Sequence, residues 1–194
     1  MSHPQVSPAE RAAVLERHLH DHGHVDPQRL ARALDEDGSG GGPSPALGAR
    51  VVARAWTDED FRARLLSDAM GTLREYIGDQ MIPLVVLEDT PEVHHVIVCT
   101  LCSCYPGNLL GNPPEWYKSF EYRSRVVREP RVVLAEFGFD VLDGIEIKVV
   151  DSSAELRYMV LPMRPAGTEG WSPEQLAALV TRNSMLGTGG VLQP

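Results

Sequence analysis

All three cysteines of this 194-residue chain, Cys99, Cys102 and Cys104, lie within six consecutive residues, "CTLCSC". No other feature constrains the fold as strongly. No disulfide can tie one distant part of the chain to another, so a hydrophobic core must hold the structure together. A chain of this length can bury one. An odd number of thiols, and no apolar export run in "MSHPQVSPAERAAVLERHLH", point to a reducing compartment, and the expected location is the cytoplasm. A disulfide is therefore a weak explanation of the cluster.

Zinc is the plain alternative for C-x2-C. A structural zinc site needs four ligands, normally from two separate pairs, and a second pair is missing here. His94 and His95 precede the motif on an expected strand, where alternation lets only one of them face the side of Cys99. Cys102-Ser103-Cys104 suggests a third arrangement. Two thiolates one residue apart also present the backbone amides of Ser103 and Cys104. If both amides lose their protons, two nitrogens and two sulfurs surround a metal in a plane, and Cys99 supplies an axial sulfur. Amide deprotonation needs a strongly polarising trivalent ion such as iron or cobalt. The sixth position stays open, as in a catalytic site.

The composition narrows the partners. Hydrophobic residues make up 43% and charged residues 23%, which are globular values, and the net charge is −9. Without a basic stripe, neither a nucleic acid nor an anionic membrane surface is an expected partner. No run approaches the ~20 apolar residues of a membrane span.

Along the chain, Ser7-Pro8 and Asp26-Pro27 open two mostly polar helices, which form an expected N-terminal arm over residues 1–37. "GSGGGPSP" (38–45) has the composition of a flexible linker, and residues 46–194 form the main domain. "ALGARVVARAW" is expected to be helical, and Thr57 with Asp60 to cap a longer helix through about Ile77. "PLVVLED" and "VHHVIV" then switch to strand patterning, and the cysteines follow the second strand. Two helical pieces broken at Pro130, the strands "IEIKVVD" and "LRYMVLPM", and a helix "PEQLAALVTR" capped by Ser172 complete the pattern. The expected fold is α+β: an N-terminal helical arm, then a layered α-β-β-α domain carrying the metal claw loop.

"VCTLCSCYP" resembles the metal-binding signature of the nitrile hydratase alpha subunit family, which includes the metal-binding subunit of thiocyanate hydrolase. "PPEWYKSFEYRSRVVREPRVVLAEFG", "SSAELRYMVLPMRPAGTEGW" and "VVLEDTPEVHHVIV" are also similar to the family, over most of residues 45–187, and the arm has a counterpart there. The resemblance implies metal ligation by the sulfurs of Cys99, Cys102 and Cys104 and the amides of Ser103 and Cys104. It implies oxidation of Cys102 to sulfinic acid and of Cys104 to sulfenic acid, consistent with thiolate oxidation chemistry. Thr100 and Tyr105 match the cobalt-type pattern, so the expected cofactor is non-corrin cobalt(III) rather than iron(III). The implied activity is hydration of a nitrile to its amide, with Cys104, Gln80 and Arg157 as catalytic residues. The implied partners are a beta-type subunit, as one chain or split in two, a small-molecule nitrile and a maturation activator.

One departure bears on the substrate. The family usually carries Trp after "CYP", whereas this chain reads Gly107-Asn108-Leu109. A glycine there would enlarge the substrate pocket, so a bulky or heteroaromatic nitrile is expected. Thiocyanate hydrolase also lacks that Trp and stands as the alternative enzyme. A non-catalytic cobalt-carrying subunit is the alternative outside catalysis. The histidines of "HLHDHGH" (18–24) and the arginines at 123, 125, 128 and 131 are expected to be a solvated face and ion-pairing groups respectively. His94 and His95 are expected to point one inward and one outward. Trp116 and Tyr117 are expected to be packing or subunit-interface residues, and Asp151 and Glu155 either proton carriers or structural pairs.

Overall fold

The computed structural model describes residues 44–78 and 82–194, all within one compact unit. The arm, most of the linker, the histidines of 18–24 and Gln80 lie outside the described residues. Helices and strands are mixed, and the strands form two separate two-stranded sheets. In one, β1 (Leu84–Glu88) runs parallel to β4 (Arg157–Leu161), with Leu84 opposite Arg157. In the other, β2 (Val93–Val98) runs parallel to β3 (Glu146–Asp151), with Val98 opposite Asp151. The short Asp89–Glu92 connection does not close a hairpin between β1 and β2. Each strand instead pairs with a segment much later in the chain, and parallel pairing requires such long crossovers.

The helix starts follow capping chemistry. The Ser44 side chain accepts from the Leu47 amide, and Pro45 opens helix α1 (Pro45–Thr57). The linker expected through residue 45 therefore gives way to helix at its last position. The helix expected to run unbroken to Ile77 is two helices, α2 (Glu59–Ser67) and α3 (Ala69–Ile77). Asp58, not Thr57, caps α2 by accepting from Phe61, and Asp68 interrupts the run by accepting from the Gly71 amide. An Asp side chain competes with the helical ladder in this way.

The short helices α4 (Gly107–Leu110), α5 (Glu115–Lys118), α6 (Phe120–Arg125) and α7 (Pro130–Glu136) follow the cysteines. Pro130 begins α7 as expected, but a further break falls at Ser119, whose hydroxyl caps α6. The C-terminal run is likewise two helices, α8 (Pro173–Ala177) and α9 (Arg182–Leu186), capped by Ser172 and Thr181. No helix of the described residues is long and apolar enough to cross a membrane.

The core joins the inner stripe of α1 (Val51, Val52, Ala55) to Phe61, Leu65 and Leu73 of α2 and α3. It continues through Val96, Ile97 and Val98 of β2, Met159 and Val160 of β4, and Met185 and Leu186 of α9. Each Val, Leu, Ile, Phe or Met side chain among these contributes roughly 1.5–3 kcal/mol. Gly48 lets α1 approach closely, since a Cβ there would lie 2.3 Å from Leu110 and 2.7 Å from Met185. Across the β1–α2 contact, Arg62 forks onto both oxygens of Glu88 at 2.6 and 2.7 Å.

His94 and His95 do not divide inward and outward. Both rings are largely buried and both bond Asp89, through Nδ1 of His94 to Oδ2 at 2.7 Å and Nδ1 of His95 to Oδ1 at 3.1 Å. Nε2 of His94 faces the Gly187 carbonyl at 2.8 Å. Gly187 closes α9 in the left-handed region at φ 73°, with its backbone against the His95 carbonyl. The His94 ring therefore meets an acceptor at each nitrogen, which suits the doubly protonated form. Burial opposes the charge, but the Asp89 carboxylate and the Gly187 carbonyl outweigh it and raise the pKa. The resulting stabilisation is complete below the unfolded value of about 6.5 and is lost as pH rises through the higher folded value. Urea unfolding of the wild type and His94→Asn should differ by about 1–3 kcal/mol at mildly acidic pH, with the gap narrowing in alkali. A gap that is constant with pH would contradict the charged brace.

Candidate metal centre

Parallel pairing of β2 with β3 puts the carboxyl ends of both strands on one side, so Cys99 leaves β2 beside Asp151. The ladder continues one step, with the Ser152 amide donating to the Val98 carbonyl at 2.7 Å. Thr100 then donates twice to Asp151, through its amide at 2.9 Å and its hydroxyl at 2.5 Å. The Arg123 guanidinium donates to the Thr100 carbonyl at 3.3 Å and also reaches the Ser119 carbonyl. Two buried phenols hold the flanks: Tyr122 donates to the Ile97 carbonyl at 2.6 Å and Tyr117 to the Cys104 carbonyl at 2.8 Å. Between these anchors the loop tip is open, with Leu101 89% exposed.

Within the loop the three sulfurs converge. Cys99 Sγ lies 3.4 Å from Cys102 Sγ, which lies 3.1 Å from Cys104 Sγ. This trio is the one metal-competent cluster found among the described residues. The Cys102 amide donates to Cys99 Sγ at 3.3 Å, and the amides of Ser103 and Cys104 turn toward Cys102 Sγ. The three sulfur donors of the expected claw thus face one small volume, and such a set of converging thiols fits a metal ion. The thiols differ sharply. Hydrogen bonds from Cys104 and Cys99, with help from the two amides, lower exposed Cys102 to about 7. Burial, followed by the neighbouring sulfurs, pushes Cys104 up to about 12, while the charge of Arg157 works against that rise.

Arg157 starts β4, next to the claw. Its Nε and Nη1 are buried and have no hydrogen-bond partner, so two charged donors are held ready for an acceptor beside Cys104. Arg157, Tyr105, Gly107, Asn108 and Leu109 line a small cavity of about 10 Å³, closed by Ile77, Ile82 and Leu84. A Cβ on Gly107 would meet only the Tyr105 ring, at 4.0 Å, so the space beside this residue is open.

Tyr117 does pack in the core, but its hydroxyl also reaches the claw, and Tyr122 was not legible as a contact from spacing. Among the arginines, Arg125 pairs with Glu129 and Glu136, whereas Arg131 serves the carbonyls of Val141, Leu142 and Ile145. Asp151 is a clamp on Thr100, and Glu155 is bonded by Ser153. Removing the clamp in Asp151→Ala should speed hydrogen exchange at the Thr100 amide by about tenfold or more. NMR on the metal-free protein would measure this, and unchanged exchange would show that Asp151 carries no such load.

A family model described as "Nitrile hydratase, alpha chain" matches residues 6–189. A nitrile hydratase subunit alpha from Rhodococcus sp. is 60% identical over 153 residues, covering 77% of each chain. The cobalt-containing nitrile hydratase subunit alpha of Pseudonocardia thermophila is 60% identical over 146 residues, 74% of this chain and 72% of that one. Thiocyanate hydrolase subunit gamma of Thiobacillus thioparus is 44% identical over 164 residues, 75% of this chain and 65% of that one. Among solved structures, a double mutant of the Fe-type nitrile hydratase from Comamonas testosteroni Ni1 is similar with a TM-score of 0.79 and 40% identity. It covers 97% of this chain and 94% of that chain. With the cysteine claw in place and the match spanning nearly its whole length, the chain belongs to the nitrile hydratase alpha-chain family.

Proposed function

We propose that this chain is the metal-bearing alpha subunit of a nitrile hydratase, hydrating a nitrile to its amide at a non-corrin cobalt(III) centre. The observation that carries the reading is the convergence of three sulfurs within one six-residue loop, with the amides of Ser103 and Cys104 lying between two of them in sequence. Cobalt is favoured by Thr100 and Tyr105 and by the cobalt-containing relatives; the Fe-type structural relative makes iron(III) the competing metal. When bound by Cys99, Cys102 and Cys104, the ion would supply Lewis acidity to polarise the nitrile or the water.

The reaction adds water across C≡N. The water oxygen bonds to carbon, its protons end on nitrogen and oxygen, and tautomerisation gives the amide without breaking the C–N bond. Cys102, exposed and with a lowered pKa, is suited to oxidation to the sulfinic form. Oxidation of the buried Cys104 to the sulfenic form rests on the family resemblance, with metal ligation supplying the thiolate. The unpartnered Nε and Nη1 of Arg157 would donate within the hydrogen-bond network behind the metal, while arginines of the beta-type partner would clamp the oxidised cysteines. Gln80 would orient the substrate, and Gly107, Asn108 and Leu109 form part of its wall. The missing large side chain at Gly107 is the ground for a bulky or heteroaromatic nitrile, and the partner must widen the pocket, since the cavity of this chain alone is about 10 Å³. The reading includes a beta-type partner, whole or split, that completes the pocket, a maturation activator and a cytoplasmic location. It also retains the layered domain, the arm over 1–37 and a linker between that arm and the Ser44 cap of α1.

The 44% identity to a thiocyanate hydrolase subunit keeps thiocyanate hydrolysis as the second reading. The complex purified with its neighbouring subunits should hold one cobalt per alpha chain, carry two or three added oxygens by intact mass, and hydrate nitriles in preference to thiocyanate. Unmodified thiols that surrender cobalt to a chelator would instead indicate a carrier subunit. Gly107→Trp should lower kcat/KM for bicyclic aromatic nitriles by about tenfold or more while sparing acrylonitrile-sized ones. Equal losses on both would remove Gly107 as the determinant.

A further inference from the structure

We infer that Tyr117 and Tyr122 are positioning residues for the claw: two buried phenols that set the span of segment 97–104 before any metal arrives. The inference rests on the claw reading above and adds how this chain shapes the claw.

The two hydroxyls grip opposite flanks of the cysteine loop, Tyr122 at the Ile97 carbonyl and Tyr117 at the Cys104 carbonyl. Carbonyls alternate in direction along a strand. Val98 spends its carbonyl on Ser152 at the β3 side, so the Ile97 carbonyl points away from β3, and the phenol supplies its partner. Cys104 offers both its sulfur and its amide to the claw, so turning this one residue moves two donors together. A hydrogen bond on its carbonyl is therefore a lever on both.

The phenols themselves cannot drift. The Tyr117 ring meets Tyr105 at 5.3 Å, Trp116 at 5.9 Å and Tyr122 at 5.9 Å, and Tyr122 meets Trp116 at 5.0 Å and Phe137 at 6.0 Å. Five rings thus fix the separation of the two hydroxyls. A phenol O–H is a donor at neutral pH, so each hydroxyl can serve the carbonyl it faces. Replacing either Tyr by Phe leaves the ring packing intact and strips a partner from a buried carbonyl.

The test compares wild type, Tyr117→Phe, Tyr122→Phe and Tyr76→Phe as full complexes matured with cobalt. Tyr76 is the control because its hydroxyl bonds Arg54 rather than the loop. In Tyr117→Phe and Tyr122→Phe the sulfur-to-metal absorption band should move and chelator release of cobalt should quicken by about fivefold or more. The kcat should fall while KM holds, and Tyr76→Phe should match the wild type. Hydrogen exchange of amides 100–104 in the metal-free complex should rise in the same two variants. That readout needs neither metal nor turnover, so it separates this inference from the assigned activity, which wild-type nitrile hydration tests. An unchanged band and unchanged exchange in the folded variants would overturn the inference. So would loss of the fold in both while Tyr76→Phe stays intact, since that marks a purely structural role.

Discussion

Parallel pairing of β2 with β3 is the constraint on which the site depends. Because both strands end on the same side, Val98 sits opposite Asp151, and the residue after each strand enters a shared space. An antiparallel partner would have brought the start of β3 there instead, with Glu146 in place of Asp151. The clamp on Thr100 follows from that register. So does the Ser152–Val98 bond that carries the ladder to the edge of the cysteine loop. Each cysteine of the expected claw lies within six residues of Val98.

The loop itself combines a rigid frame with an open tip. Asp151, Arg123, Tyr117 and Tyr122 satisfy backbone groups at its start and end, and burial makes the two phenol bonds costly to lose. Cys102 and Leu101 face outward, where oxygen, substrate or a partner chain can reach them. The split between a lowered Cys102 and a raised Cys104 has the same origin, since one sulfur sits in hydrogen bonds at the surface and the other beneath it. Low-dielectric surroundings beside exposed thiolate chemistry are a common means of setting different duties for like groups.

On the other side of the claw, the unpartnered donors of Arg157 and the open space at Gly107 give the cavity distinct polar and vacant walls. The two walls arise in different ways. Arg157 arrives on β4, whose pairing with β1 fixes it opposite Leu84. Gly107 arrives directly along the chain from the claw, through Tyr105 and Pro106, as the first residue of α4.

What the sequence by itself determined was local. Three thiols in six residues, the intervening Ser103, the strand patterns and the Ser172 cap depend on neighbours in the chain, and spacing alone reveals them. Family resemblance extended this to Arg157 and Gly107. Only the tertiary structure decided the rest. Asp151 meets Thr100 across 51 positions, Tyr122 meets Ile97 across 25, and His94 meets Gly187 across 93. No periodicity encodes such pairs, because they arise when separate strands and helices dock. The breaks at Asp68 and Ser119 lie between these cases: the capping residues are visible, but whether they cap or continue a helix depends on how the flanking turns pack.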